Sequence, residues 1–121
     1  MKIESYRKLI VWQKSYELVK NIYLLTESFP KNEQFGLITQ MRRCAVSIPS
    51  NIAEGQQRNN AKEYRQFLGI ARGSAAELST QLLLARDLYK VDVSAELETV
   101  ESIQKMLFAL LRKLQPVTRN P

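Results

Sequence analysis

Apolar residues recur at alternating steps of three and four along almost the whole chain, and proline, glycine or a short polar stretch cuts the pattern at only a few points. That period belongs to helices, because a half-buried strand needs strict alternation. The first run extends from about Lys8 to Ser28. One row holds Leu9, Trp12, Tyr16, Val19, Tyr23 and Thr26, and the adjacent row holds Val11, Leu18, Ile22, Leu25 and Phe29. Two neighbouring rows make a broad apolar face, as on a helix packed inside a bundle. Pro30 closes the run by disfavouring helical geometry at the residue before it. The second run begins near Asn32 or Glu33 and carries Phe35, Ile38, Met41, Ala45, Ile48 and Ile52. Pro49 lies inside it and has no N–H for the Ala45 carbonyl. Since the apolar register continues past it, the sequence predicts a kinked helix and not a break. Gly55 reads as a left-handed stop.

The third run opens at Asn59 or Asn60, either of which can cap free N–H groups, and continues through Tyr64, Leu68, Ala71, Ala75, Leu78, Leu82, Ala85 and Tyr89. Gly69, Gly73 and Ala76 form a small-residue row beside it. A glycine inside a helix costs roughly 1 kcal/mol relative to alanine, so the row predicts close approach by a neighbouring helix. After Lys90 to Val93, Ser94 is the expected N-cap of a fourth run with Leu97, Val100, Ile103, Leu107, Leu110 and Leu114, closed by Pro116. Its glutamates (Glu96, Glu98, Glu101) sit near the start and Arg112 and Lys113 near the end, the order that the helix dipole favours. Four such helices with short connections predict an all-α fold: an antiparallel up-down-up-down four-helix bundle, roughly 30–40 Å long, kinked in its second helix at Pro49, and filling residues 1–121 as one domain.

Composition narrows the chemistry. Histidine is absent, which removes Ser-His-Asp and Cys-His nucleophile systems, imidazole acid–base catalysis and almost every zinc site. Cys44 is the single cysteine, so no intrachain disulfide can form and a reducing compartment is expected. Beside Ala45 and Val46, with no base nearby, Cys44 reads as a buried structural thiol. Asp87 and Asp92 are the only aspartates, and neither G-x-x-x-x-G-K-[ST] nor G-x-G-x-x-G occurs. Tyr6, Trp12, Tyr16 and Tyr23 are able to stack on bases, but their helical spacing predicts core positions. No apolar run resembles a secretory signal or a membrane span. The expectation is a cytoplasmic protein without catalytic residues, metal or cofactor.

Charge points elsewhere. Eighteen Lys and Arg face twelve Asp and Glu, a net charge of +6. Residues 1–90 hold all of that excess and residues 91–121 are neutral. Arg58, Arg65, Arg72 and Arg86 recur at separations of seven or fourteen, with Ser79 in the gap and Lys62 nearby. Seven residues return almost to the same side of a helix, drifting about 20° each time. Arg42 and Arg43 add two adjacent guanidinium groups. Two readings are open. One is a solvated face whose arginines pair with Glu54, Glu77 or Glu101. The other is a row of planar donors meeting a phosphate backbone, where every contact releases counterions. On the second reading Arg42, Arg43, Arg58, Lys62, Arg65 and Arg72 bind structured RNA or DNA, with little base readout.

The most distinctive stretch is Gln40-Met41-Arg42-Arg43-Cys44-Ala45-Val46-Ser47-Ile48-Pro49-Ser50-Asn51-Ile52-Ala53-Glu54-Gly55, followed by Glu63-Tyr64-Arg65-Gln66-Phe67-Leu68-Gly69-Ile70-Ala71-Arg72-Gly73-Ser74 and Glu77-Leu78. It resembles the four-helix bundle family of proteins encoded in intervening sequences of bacterial large-subunit rRNA genes, which includes the accessory variability determinant of diversity-generating retroelements. The resemblance extends from Leu9-Ile10-Val11-Trp12 to the last helix. It implies a bundle that assembles into a ring-like homopentamer. In the retroelement branch it implies a basic ring that binds nucleic acid and associates with a reverse transcriptase. Where the family pattern reads Glu-Leu-Glu-Thr, this chain has Glu77-Leu78-Ser79-Thr80, one acid fewer beside the arginine row. The resemblance leaves a second functional expectation open: a protein-interaction scaffold whose arginines serve assembly.

Overall fold

The computed structural model describes residues 5–33 and 36–116. After a 3₁₀ turn, Ser5–Lys8, four α-helices follow: α1 (Ile10–Glu27), α2 (Leu37–Gln56), α3 (Ala61–Tyr89) and α4 (Ser94–Lys113). Each helix packs on the next, and α4 returns to pack on α1, whereas among the described residues the diagonal pairs show no close backbone approach. The late part of α1 meets the early part of α2, where Arg42 bonds the Tyr23 carbonyl. The early part of α3 meets the end of α4, where Arg65 bonds the Leu114 carbonyl. Such pairings are those of antiparallel neighbours in a four-helix bundle.

Every helix contributes one buried row. In α1 it is Val11, Ser15, Leu18, Ile22 and Thr26, and in α4 it is Val100, Ile103 and Leu107. The row of Val11, Leu18 and Ile22 faces the core directly, and Leu9, Trp12 and Val19 of the other row pack partly buried against it. The aromatic row lies at its edge: Trp12 is half-buried, while Tyr16 and Tyr23 remain 49% and 41% exposed. A bundle with four walls covers a narrower arc of each helix than two full rows occupy. Ser15 and Thr26 tolerate burial because each hydroxyl donates to the carbonyl four residues back, at 2.7 and 2.8 Å.

α2 and α3 form the most extensive helix pair. The buried face of α3 combines leucine with alanine, as Leu68, Ala71, Ala75, Leu78, Leu82 and Ala85, and the alanines let the α2 backbone come close. Gly55 marks the tightest point. A Cβ there would sit 2.8 Å from Phe67 Cβ and 3.0 Å from a Tyr64 ring carbon. Gly55 is thus not the left-handed stop expected from sequence. It lies inside α2, which ends one residue later, and no glycine has a positive φ among the described residues. The close approach assigned to Gly69 and Gly73 also moves here: a Cβ at either would meet nothing within 4 Å.

Helix ends bring further corrections. Lys31–Glu33 is a separate 3₁₀ turn, so α2 starts at Leu37 and not near Asn32. Phe35 lies outside the described residues. Asn60 caps α3, its side chain accepting from the Glu63 N–H at 2.9 Å. Lys90 adopts the left-handed conformation at the far end, φ 56°. Ser94 is the first residue of α4 and not its cap, and Asp92 accepts from both its N–H and its hydroxyl. Pro49 is buried within α2, which remains helical through it.

Candidate functional site

The six basic residues singled out by sequence occupy two places. Arg42 and Arg43 lie on α2 beside the last turns of α1. Arg42 is occupied there: its Nε donates to Thr26 Oγ1 at 2.9 Å, its Nη2 to the Tyr23 carbonyl at 3.3 Å, and its guanidinium lies 4.4 Å from the Tyr23 ring centroid. A cation at a helix C-terminus opposes the partial negative charge of the last carbonyls, so Arg42 fastens α1 to α2. Arg43 is exposed at the rim of a shallow recess with Tyr23, Val46 and Ser47.

Arg58, Lys62, Arg65 and Arg72 lie along the turn into α3 and its first three turns. Arg58 pairs with Glu54 at 3.0 Å and covers the Phe67 ring at 4.7 Å. Both partners of that ion pair are largely exposed, so it contributes little beyond local order. Arg65 is half-buried and donates to the carbonyl of Leu114, the C-cap of α4. Lys62 and Arg72 are exposed. Arg86, which shares their spacing, sits at the other end of α3 against Asp87 at 2.9 Å and holds that carboxyl below the usual range. Regular spacing in α3 therefore does not make one site along the whole helix.

Folding gathers charge in a way the linear order hides. The end of the bundle where α2 finishes, α3 starts and α4 finishes carries Arg58, Lys62, Arg65, Arg112 and Lys113, joined by Arg7 and Lys8 of the first turn. Glu54 and Glu63 are the carboxylates among the described residues there. At the opposite end, marked by the contact of Phe29 and Tyr89 rings at 4.9 Å, Glu27, Glu33, Asp87, Asp92, Glu96 and Glu98 stand against Lys31, Arg42, Arg43, Arg86 and Lys90, so that end carries no basic surplus. Tyr89 there is pushed up to about 12 by loss of solvent, with the Glu33 carboxylate adding to the effect.

Two features escaped the sequence reading. Arg112 was assigned to the dipole of α4 alone, yet it stands with Arg72 around Phe108: the two guanidinium carbons lie 5.9 and 5.3 Å from the ring centroid. The signal was absent from the linear order, because the α3–α4 register is needed to bring Arg72 opposite Phe108. The second is a groove of about 410 Å³ between α1 and α2, lined by Tyr6, Trp12, Tyr16, Val46, Pro49 and Ala53 among others. Trp12 stacks on Tyr16 at 5.0 Å within it.

Against this geometry, a family model described as 23S rRNA-intervening sequence protein matches residues 7–110. The chain belongs to this family. No curated protein matches it. A crystal structure from Bacteroides thetaiotaomicron VPI-5482, described as a protein of unknown function from the S23 ribosomal protein family, is similar to this chain with a TM-score of 0.78. That structure is 23% identical, and the match covers 85% of this chain and 96% of the other. The likeness bears on the fold.

In this 23S rRNA-intervening sequence family member, the distinctive stretch from Ser47 to Gly55 is occupied by helix packing. Ile48, Pro49, Ile52 and Gly55 face inward. Ser47 Oγ shares a 2.8 Å hydrogen bond with Ser74 Oγ, and Asn51 Nδ2 donates to Ser47 Oγ at 2.9 Å. Nearby, the Cys44 thiol donates to the Ser74 carbonyl at 3.0 Å. Burial raises that thiol to about 11, with the Glu77 carboxylate adding to the effect, as befits a structural and unreactive cysteine. These polar contacts fix the register of α2 on α3. Among the described residues no helix is long and apolar enough to cross a membrane, and no cluster of metal-ligating side chains occurs.

Proposed function

We infer that this family member is a non-enzymatic, cytoplasmic bundle that binds structured RNA or DNA through its basic end, largely without regard to sequence. The observation that carries this reading is the segregation of charge. Arg58 in the turn before α3, Lys62, Arg65 and Arg72 on α3, and Arg112 and Lys113 on α4 converge on a region with two carboxylates, while most acids of the described residues lie at the far end. A polarised particle approaches a polyanion end-on, and phosphate contacts then release counterions. Arg43 stands apart from this surface and serves as an auxiliary contact, whereas Arg42 acts through the fold. The test is fluorescence-anisotropy binding to an RNA hairpin and a DNA duplex across a salt series, with Lys62→Glu/Arg72→Glu beside the native protein. A steep salt slope that flattens in the variant supports the reading, and absence of binding at low salt overturns it.

A second reading is favoured by one observation: Ile70, Leu84 and Leu88 are exposed on the outer side of α3. An apolar row of that kind suits a protein contact. It is consistent with the homopentamer that the family resemblance implies, or with a scaffold for a partner such as a reverse transcriptase. Sedimentation velocity on the native protein and on Leu84→Glu/Leu88→Glu distinguishes self-assembly from a monomer.

A further inference from the structure

Phe108 is an aromatic ring that the fold leaves in water. It points outward from α4 and is 48% exposed, although burial of such a side chain would be favourable. Two arginines from different helices stand around it, Arg112 one turn further along α4 and Arg72 from α3. An exposed cation–π contact contributes less than burial of the ring would bring. Neither arginine has a carboxylate three or four positions away on its own helix, and neither forms an ion pair among the described residues. Beside Arg72, Gly69 and Gly73 raise no side chain above the α3 backbone, and among the described residues a Cβ at either would meet nothing within 4 Å.

We propose that Phe108, with Arg72 and Arg112, is a stacking site for an unpaired nucleotide, so that the basic end prefers single-stranded or looped nucleic acid to a plain duplex. This rests on the nucleic-acid reading above and adds the substrate form to it. In a duplex the base faces are hidden and only phosphates are offered, for which lysines and arginines suffice. A ring with two guanidinium groups close to it matches the remaining case: a base whose face is free, with phosphates beside it. Guanidinium planes and aromatic rings both take a stacked base.

The experiment measures affinity of the full chain for a labelled single-stranded oligoadenylate of about 12 nucleotides, a length within the span one such surface covers. The comparison ligand is a blunt duplex RNA at the same salt, and the variants are Phe108→Leu and Phe108→Tyr. Because the site is exposed and leucine is a good helix former, circular dichroism is expected to match the native protein. Loss of one stacked base weakens single-strand binding by about fivefold or more. Duplex binding stays within about twofold, and tyrosine, which retains the ring, restores the single-strand affinity. Equal binding of both ligands by native protein and Phe108→Leu overturns the stacking site while leaving the phosphate reading intact. Failure of the native protein to bind either ligand overturns both.

Discussion

Replacing Gly55 with alanine tests the packing of α2 on α3 at its tightest point. The added methyl would lie 2.8 Å from Phe67 Cβ, 3.0 Å from Tyr64 Cδ1 and 3.3 Å from the Tyr64 carbonyl oxygen. A Cβ and a carbonyl are fixed to the backbone, so relief requires the two helices to separate and cannot come from a side-chain rotation. Overpacking of this kind costs about 1–3 kcal/mol, while alanine in place of glycine returns up to about 1 kcal/mol of helix propensity. The net expectation is a loss of about 1–2 kcal/mol, lowering Tm by roughly 4–10 °C for a domain of this size. Trp12, the single tryptophan, lines the α1–α2 groove with Ala53 and reports unfolding by urea. Gly69→Ala and Gly73→Ala are the controls: with open space at each, both gain about 0.5–1 kcal/mol in the isolated chain. A Gly55→Ala midpoint equal to or above that of the native protein would refute the packing argument. Destabilisation of an assembly by the control substitutions would reveal a partner backbone seated against α3.

Gln81 is 5% exposed and its Oε1 has no hydrogen-bond partner among the described residues. Removing an orphaned buried acceptor relieves a cost of about 1–3 kcal/mol, so Gln81→Met is expected to raise the urea midpoint by an amount equivalent to about 1 kcal/mol. Arg42→Ala loses bonds to Thr26 and Tyr23 and should destabilise by about 1–2 kcal/mol, whereas exposed Arg43→Ala should stay within about 0.5 kcal/mol; equal effects in thermal melts would contradict the separation of their roles. Cys44 is expected to resist thiol reagents at neutral pH until denaturant is added. Because folding raises that thiol from 9.0 to about 11, the native state binds its proton more tightly. Stability should therefore fall as pH climbs across that interval, and Cys44→Ser melts at several pH values should lack this slope.

Much of the architecture was legible because local rules decide it. The buried rows of α3 and α4 follow the helical period, Asn60 caps where an asparagine before a helix should, and Cys44 is buried as its apolar neighbours indicated. The misreadings share one cause. Two apolar rows on α1 were equivalent in sequence, and only the positions of α2 and α4 chose Val11, Leu18 and Ile22 over Tyr16 and Tyr23. Likewise each helical glycine carries the same propensity cost, and nothing local distinguishes Gly55, pressed against Phe67, from Gly69, which faces open space.

The candidate site divides in the same way. Sequence alone determined the positive excess, its concentration in residues 1–90, and the absence of histidine. Spacing along α3 suggested a single stripe from Arg58 to Arg86. Tertiary structure decided otherwise, because adjacent helices in this bundle meet start against finish. Residues far apart in the chain, Arg65 and Leu114 or Arg72 and Phe108, become neighbours, while Arg86 is carried to the acidic end. Charge content is a property of composition and survives any fold. Where the field points, and which aromatic ring lies within it, depends on helix register, which packing of α2, α3 and α4 alone establishes.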